Sequence, residues 1–279
     1  MPPPCRDGRV RRGTAVSTGM DKKTTSADGT SLAYQVTGEG PTVILVSGAM
    51  STGGTLAPLA LRLAERCRTV VYDRRGRGAS GDTPPYAVER EVADLAALLA
   101  AVGGEAALFG VSSGGALVLE AAASGLPVSR VGVYEVPFAD FLAGGAEQQA
   151  VYAANLSRLL EAGRLGDAVE LFLRLTGLAE QMIQRARQSP MWPGMEAVAP
   201  SLAHDAAVLG DGLIPLARLA GIPVPVLSVA GGMSPAWMRE AALAVADAVP
   251  DGTYLELAGQ THMIEPAALA PVLTTFFTE

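Results

Sequence analysis

Short apolar runs alternate with longer helical patterns over most of the chain. Thr42–Val46, Thr69–Tyr72, Ala106–Val111, Val131–Tyr134, Val224–Ala230 and Thr253–Leu257 are of strand length and mostly apolar. Continuous runs of this kind fit strands covered on both faces, because a sheet with one wet face alternates apolar and polar positions. Helix-forming stretches lie between them, at about Leu56–Arg66, Val88–Val102, Ala116–Ala123, Pro235–Val249 and Pro266–Phe277. The alternation predicts an α/β protein with a mostly parallel central sheet flanked by helices. Ahead of it, Lys22–Ser26 and Leu32–Val36 flank Asp28-Gly29, which reads as a hairpin turn.

From Phe138 to about Leu219 the alternation stops. Helical patterns occupy Glu147–Ala162, Leu165–Thr176 and Ala179–Gln188, no strand is evident, and Pro190, Pro193 and Pro200 punctuate the remainder. This stretch reads as a helical lid inserted between two sheet strands. The expected organisation is a core made of 21–137 and 220–279, with 138–219 as the lid. Residues 1–20, rich in Pro, Arg, Gly, Ser and Thr and without apolar periodicity, are expected to be a disordered extension.

Composition narrows the function. The chain has 279 residues, 49% of them apolar, enough for one large domain with a sizeable core. A net charge of -7 with 18% charged residues gives no basic surface for nucleic acid. No apolar run approaches the ~18 residues of a membrane span, and the basic N-terminal residues lack the apolar stretch of a secretory signal. Cys5 and Cys67 are too few for a disulfide framework, so a reducing cytoplasm is expected, with Cys67 a plain buried thiol. The sparse histidines and cysteines suggest no metal site, and no dinucleotide fingerprint follows the first strand. No cofactor is expected.

The most informative stretch is Phe109-Gly110-Val111-Ser112-Ser113-Gly114-Gly115. An apolar strand leads in and a helix leads out, so Ser112 falls on the connecting turn. Glycines on either side fit a turn that a side chain would crowd. A serine hydroxyl is a weak nucleophile until a base takes its proton, and that base needs an orienting partner. Of the two histidines, His262 sits between the last strand and last helix, whereas His204 lies within the lid.

Taken together, the strand ending Ser47-Gly48, the Asp73-Arg74-Arg75-Gly76-Arg77-Gly78-Ala79-Ser80 turn, the Gly110–Gly114 elbow, the lid and His262 resemble the α/β-hydrolase superfamily over roughly residues 22–279. The resemblance implies an α/β-hydrolase fold, with Ser112 as nucleophile and His262 as general base. It implies an oxyanion hole made by the backbone N–H of Ser113 and one from the Ser47–Met50 loop, at Ala49 or Gly48. Asp73 and Arg74 are expected to anchor their turn.

The acid departs from the usual pattern. In most family members it follows the strand represented here by Val224–Ala230, at the position of Ser234, which cannot serve. Glu135, directly after Val131–Tyr134, stands at the carboxyl end of the strand next to the elbow strand, where open α/β sheets bind ligands. It is the expected acid, ahead of Asp140, Asp205 and Glu240. The zearalenone-type lactone hydrolases are similar in carrying a glutamate at this strand end, and Trp192 resembles the tryptophan of their lid that contacts substrate. Met50, Phe138, Met191, Trp192 and Met263 are candidate substrate contacts; the lid also offers Phe141, Phe172, Met182 and Met195, with Phe172 read as helix packing. The expected function is cofactor-independent hydrolysis of a medium-sized hydrophobic ester or lactone by a serine hydrolase. Carbon–carbon bond hydrolysis, a cyclase or lyase step on the same fold, and a non-catalytic small-molecule receptor are the alternatives. A homo-oligomer is left open.

Overall fold

The computed structural model describes residues 20–279. The expected extension therefore lies, apart from Met20, outside the described residues. The two hairpin arms and the six apolar runs form strands: β1 (Lys22–Thr25), β2 (Ser31–Thr37), β3 (Thr42–Val46), β4 (Arg68–Tyr72), β5 (Ala106–Val111), β6 (Val128–Tyr134), β7 (Val226–Gly231) and β8 (Gly252–Leu257). They make one sheet in the order β1-β2-β4-β3-β5-β6-β7-β8. The hairpin strand β2 is antiparallel to β1 and β4, and the pairs from β4 through β8 are parallel.

Helices α1 (Ala57–Leu63), α2 (Val88–Val102) and α3 (Ser113–Ala123) follow β3, β4 and β5 in turn, while α10 (Ala236–Ala248) and α11 (Pro266–Thr278) follow β7 and β8. Alternate strand side chains point to opposite faces, so the sheet feeds two cores. Val43, Leu45, Phe109 and Val229 pack with α1 and α11, together with the fully buried Cys67 and part of Met20. Ile44, Val46, Leu108 and Val133 pack with α2, α3 and α10. Burial pushes the Cys67 thiol pKa up, in keeping with an unreactive core cysteine. The helix expected over Leu56–Arg66 is a 3₁₀ turn, Gly53–Leu56, followed by the shorter α1, because the chain must turn after Leu63 to carry Cys67 into the core ahead of β4.

Between β6 and β7 the chain runs through α4 (Gly145–Glu161), α5 (Leu165–Leu175), α6 (Glu180–Arg187), α7 (Trp192–Val198), α8 (Leu202–Leu209) and α9 (Leu216–Leu219). The proline-punctuated part, for which no separate helices were assigned, is also helical. Pro193 occupies the first turn of α7 and Pro200 opens a short 3₁₀ turn; at such starts the missing N–H has no intrahelical partner to lose. Tyr152, Leu156, Val169, Trp192, Ala199 and Leu202 give this insertion its own apolar core. Among the described residues, no helix is long and apolar enough to cross a membrane.

Backbone crowding at the elbow between β5 and α3 sets the position of Ser112. A Cβ on Gly114 would lie 2.4 Å from the Val46 carbonyl oxygen and 2.6 Å from that of Ser47, and one on Gly110 would lie 2.3 Å from the Gly114 oxygen. Helix α3 therefore starts in direct contact with the end of β3. Gly114→Ala is expected to lower stability by about 3 kcal/mol, since the atoms it meets are backbone and cannot swing away. Gly194→Ala, in α7 with nothing within 4 Å of the added methyl, is expected to raise stability by about 0.5–1 kcal/mol. Urea denaturation of the two variants checks both signs.

Candidate active site

Three neighbouring strands, β3, β5 and β6, end beside one another. Each is followed within a few residues by a non-glycine residue with positive φ: Met50 at 55°, Ser112 at 54° and Glu135 at 47°. Among the described residues no other non-glycine residue has this conformation. Such backbone costs roughly 1–3 kcal/mol per residue, and it clusters where function demands a particular side-chain direction. The Ser112 N–H donates to the Tyr134 carbonyl at 2.9 Å, and the Glu135 N–H to that of Val229 at 3.0 Å, so both turns are extensions of the parallel ladder. Gly48 lets the β3 loop close on the serine: a Cβ there would be 3.0 Å from Ser112 Cβ and 3.6 Å from its Oγ.

The carboxylate of Glu135 is fully buried. Its Oε1 accepts the Gly231 N–H at 2.7 Å, and its Oε2 lies 2.7 Å from His262 Nδ1. One oxygen is thus fixed by the end of β7 and the other faces the imidazole, whose Nε2 is the ring nitrogen that Glu135 leaves unengaged. The His262 side chain is 41% exposed, while Glu135 is sealed behind it. Tyr134 steadies the histidine loop by donating its hydroxyl to the Thr261 carbonyl at 2.5 Å. Burial, aided by the Glu135 charge, pushes the Tyr134 pKa up, so the phenol stays a neutral donor. Ser234, the usual location of the acid, is buried and its hydroxyl finds no partner among the described residues.

Behind the serine lies a buried ionic network. Arg74 forms a two-pronged pair with Glu91 of α2, through Nε at 2.6 Å and Nη2 at 3.0 Å. Asp205, on α8 of the insertion, receives three donors on its Oδ1: Arg74 Nη1 at 2.8 Å, Arg77 Nη2 at 2.7 Å and the Ser113 hydroxyl at 2.7 Å. The same guanidinium groups hold the β3 loop, Arg74 bonding the Ser47 carbonyl at 3.2 Å and Arg77 the Gly48 carbonyl at 2.6 Å. Asp73 anchors its own turn as expected, accepting from the N–H groups of Gly53 and Ala79. Nearby, His204 stacks on Tyr86 with ring centroids 4.1 Å apart. Burial holds its imidazole pKa below the usual range, against the opposing pull of Asp82.

Comparison with known proteins identifies the family. The sequence profile of the Alpha/beta hydrolase family matches residues 43–272. The chain belongs to the alpha/beta hydrolase family. This family member is similar to an alpha/beta hydrolase from Sphaerobacter thermophilus, at 49% identity and a TM-score of 0.84, over 92% of this chain and all of that one. It is 29% identical to the 2-(acetamidomethylene)succinate hydrolase of Mesorhizobium japonicum over 254 residues, 86% of this chain and 88% of the other. The enol-lactonase of Burkholderia xenovorans shares the fold, with 23% identity and a TM-score of 0.68 over 92% of this hydrolase and 100% of that enzyme.

The candidate substrate contacts separate into distinct environments. Trp192 is buried in the insertion core, its Nε1–H donating to Glu196 at 2.9 Å and Arg187 lying over its ring. It packs as the first residue of α7. The same cluster reaches Ala49 and Met50, both half-buried against it. Phe138 lies apart, in the α3-side core, where it lines a cavity of about 150 Å³ with Ala116, Leu119 and Val208. Met191 and Met263 are exposed, at 76% and 79%. Phe172 and Met195 pack on the insertion core, while Phe141 and Met182 face solvent. Of the weaker acid candidates, Asp140 accepts the Ile214 N–H and Glu240 lies within α10. Among the described residues, no group of three or more His, Cys, Asp or Glu is placed to hold a metal ion.

Arg77, Glu91 and Asp205 were not legible as a unit, although a lone aspartate within the largely apolar Leu202–Leu209 helix was a signal. The network has an acid signature. Burial alone would raise the Glu91 pKa; Arg74, with help from Arg77 and Tyr86, more than offsets it and leaves the pKa at about 2. A depressed native pKa contributes stability above the unfolded value of about 4.3 that is lost as pH falls toward the native one. Stability is therefore expected to decline between about pH 4.5 and 2, and Glu91→Gln to flatten that part of the profile while lowering stability at neutral pH. Denaturant unfolding across the pH range checks this.

Proposed function

We propose that the protein is a cofactor-independent serine hydrolase that cleaves carboxylic esters or lactones through an acyl-enzyme. The observation that carries the reading is the 2.7 Å approach of Glu135 to His262 Nδ1, beside Ser112 on its positive-φ turn. Glu135 orients the imidazole and stabilises its protonated form. Nε2 takes the Ser112 proton as Oγ attacks the substrate carbonyl carbon. The carbonyl π electrons move to oxygen, which the N–H groups of Ser113 and Ala49 receive. Ser113 opens α3, so its N–H has no intrahelical acceptor. The imidazolium returns its proton to the leaving alkoxide as the tetrahedral adduct collapses. His262 then deprotonates water, which attacks the acyl-enzyme and releases the acid and free Ser112. In a lactone the leaving alkoxide stays tethered to the acyl group, and one hydroxy acid is the product.

The helical insertion acts as the lid in this reading. Its apolar core, which contains the buried Trp192 and reaches Ala49 and Met50, favours a medium-sized hydrophobic substrate, for which the exposed Met191 and Met263 remain candidate contacts. The enol-lactonase relative supports the lactone class, of which a zearalenone-like macrocycle is one member to assay. A fluorophosphonate probe is expected to label Ser112 in the wild type and to fail in Ser112→Ala and His262→Ala. A folded wild type that neither labels nor releases nitrophenol from p-nitrophenyl esters would overturn the assignment. Glu135→Gln keeps the shape of the acid but removes its charge, and is expected to lower kcat by roughly 10⁴-fold with KM little changed, by analogy with loss of a triad carboxylate.

A further inference from the structure

We propose that Asp205, on helix α8 of the insertion, is the positioning residue of the oxyanion hole, acting through Arg77 and the Ser113 side chain on both backbone donors at once. The inference rests on the serine-hydrolase reading above. Two donors are needed at one point in space, and they come from elements far apart in sequence: Ala49 after β3 and Ser113 at the start of α3. A trans peptide points its C=O and the following N–H in opposite directions. Arg77 Nη1 holds the Gly48 carbonyl at 2.6 Å, so the Ala49 N–H of the same peptide is turned away from Arg77. Arg74 holds the preceding carbonyl, that of Ser47, at 3.2 Å. Both guanidinium groups end on Asp205 Oδ1, which also accepts the Ser113 hydroxyl at 2.7 Å. A single carboxylate oxygen therefore ties the peptide that carries one donor to the residue that carries the other.

Burial makes this tie stiff. Arg74, Arg77 and Ser113 are at most 2% exposed and Asp205 only 4%, so water does not compete for these bonds. Electrostatic stabilisation of a transition state depends on donors held in place before charge develops. Asp205 touches neither the reacting atoms nor the substrate; its effect passes through the placement of the two N–H groups. The insertion then does more than cover the site, because it supplies the residue that aligns the core's donors.

The test compares p-nitrophenyl acetate with its thiono analogue, in which sulfur replaces the carbonyl oxygen. Sulfur is larger and a weaker acceptor, so an aligned oxyanion hole favours the oxygen ester and a loosened one discriminates less. Asp205→Asn keeps the shape of the side chain, and Ser113→Ala removes only the hydroxyl tether while retaining the N–H. Both are expected to lower kcat for the oxygen ester by about 10-fold or more, short of the roughly 10²–10³-fold loss of a whole donor. KM should stay within about threefold of wild type, and the oxygen-to-thiono ratio should narrow. If Asp205→Asn fails to fold, because it leaves two buried arginines short of a countercharge, Ser113→Ala carries the test. Arg75→Lys, in the neighbouring buried pair with Asp94 that does not reach the β3 loop, is expected to lower Tm and leave the ratio unchanged. A ratio unchanged in Ser113→Ala, or shifted as much in Arg75→Lys, overturns the positioning role alone. Failure of wild-type Ser112 to label with fluorophosphonate overturns the serine-hydrolase reading and this inference with it.

Discussion

Two guanidinium groups, those of Arg74 and Arg77, are buried directly behind the Ser112 turn, and much of the local structure answers to their charge. Taking a cation out of water costs several kcal/mol unless opposite charge and hydrogen bonds compensate. Glu91 and Asp205 supply two negative charges, one from α2 beside the sheet and one from the insertion. Further donors fall on the carbonyls of Ser47, Gly48 and Ser51, while Arg77 Nε finds no partner among the described residues. The Asp73–Ser80 turn, the β3 loop, α2, α3 and α8 are thereby made mutually dependent. Apolar packing would hold these elements near one another without selecting a particular peptide orientation; directional bonds to a planar fork do select one.

That rigidity sits beside concentrated backbone strain. Met50, Ser112 and Glu135 take positive φ at the ends of three contiguous strands. Strain of this kind persists only where the surroundings leave no alternative. Here the constraint is partly steric, through the backbone contacts that forbid a side chain at Gly110 and Gly114. It is partly bonding, through the ladder hydrogen bonds that continue past the strand ends into Ser112 and Glu135. The sheet, with two well-filled cores on its faces, provides the stability against which these turns are held.

Most of the sheet was legible because buried strands leave a short, unambiguous pattern. Val88–Val102 was read as a helix with the bounds it has, since an apolar stripe with a glycine after it defines both ends. The insertion was read less well. Helices α4, α5 and α6 were visible from their periodicity, whereas α7 and α8 come in a stretch whose prolines look like breakers until their place in the first turns is known. Ser112 and His262 stand out locally, and Glu135 could be singled out by its strand-end position. The Arg74–Arg77–Asp205 network could not, because Asp205 lies 128 or more residues from the two arginines along the chain. Their pairing follows only from how α8 docks on α3.

The turn after β7 carries no charge of its own, yet it is bonded to both sides of the His262–Glu135 pair. Gly231 still gives its N–H to the carboxylate, and the Met233 N–H donates to the Gln260 carbonyl at 2.8 Å, two residues before the histidine. The same turn thus touches both the acid side chain bonded to His262 Nδ1 and the loop that carries His262. Glu135 and the His262 loop are therefore registered on one another through β7, and a displacement of that strand end would carry both partners with it.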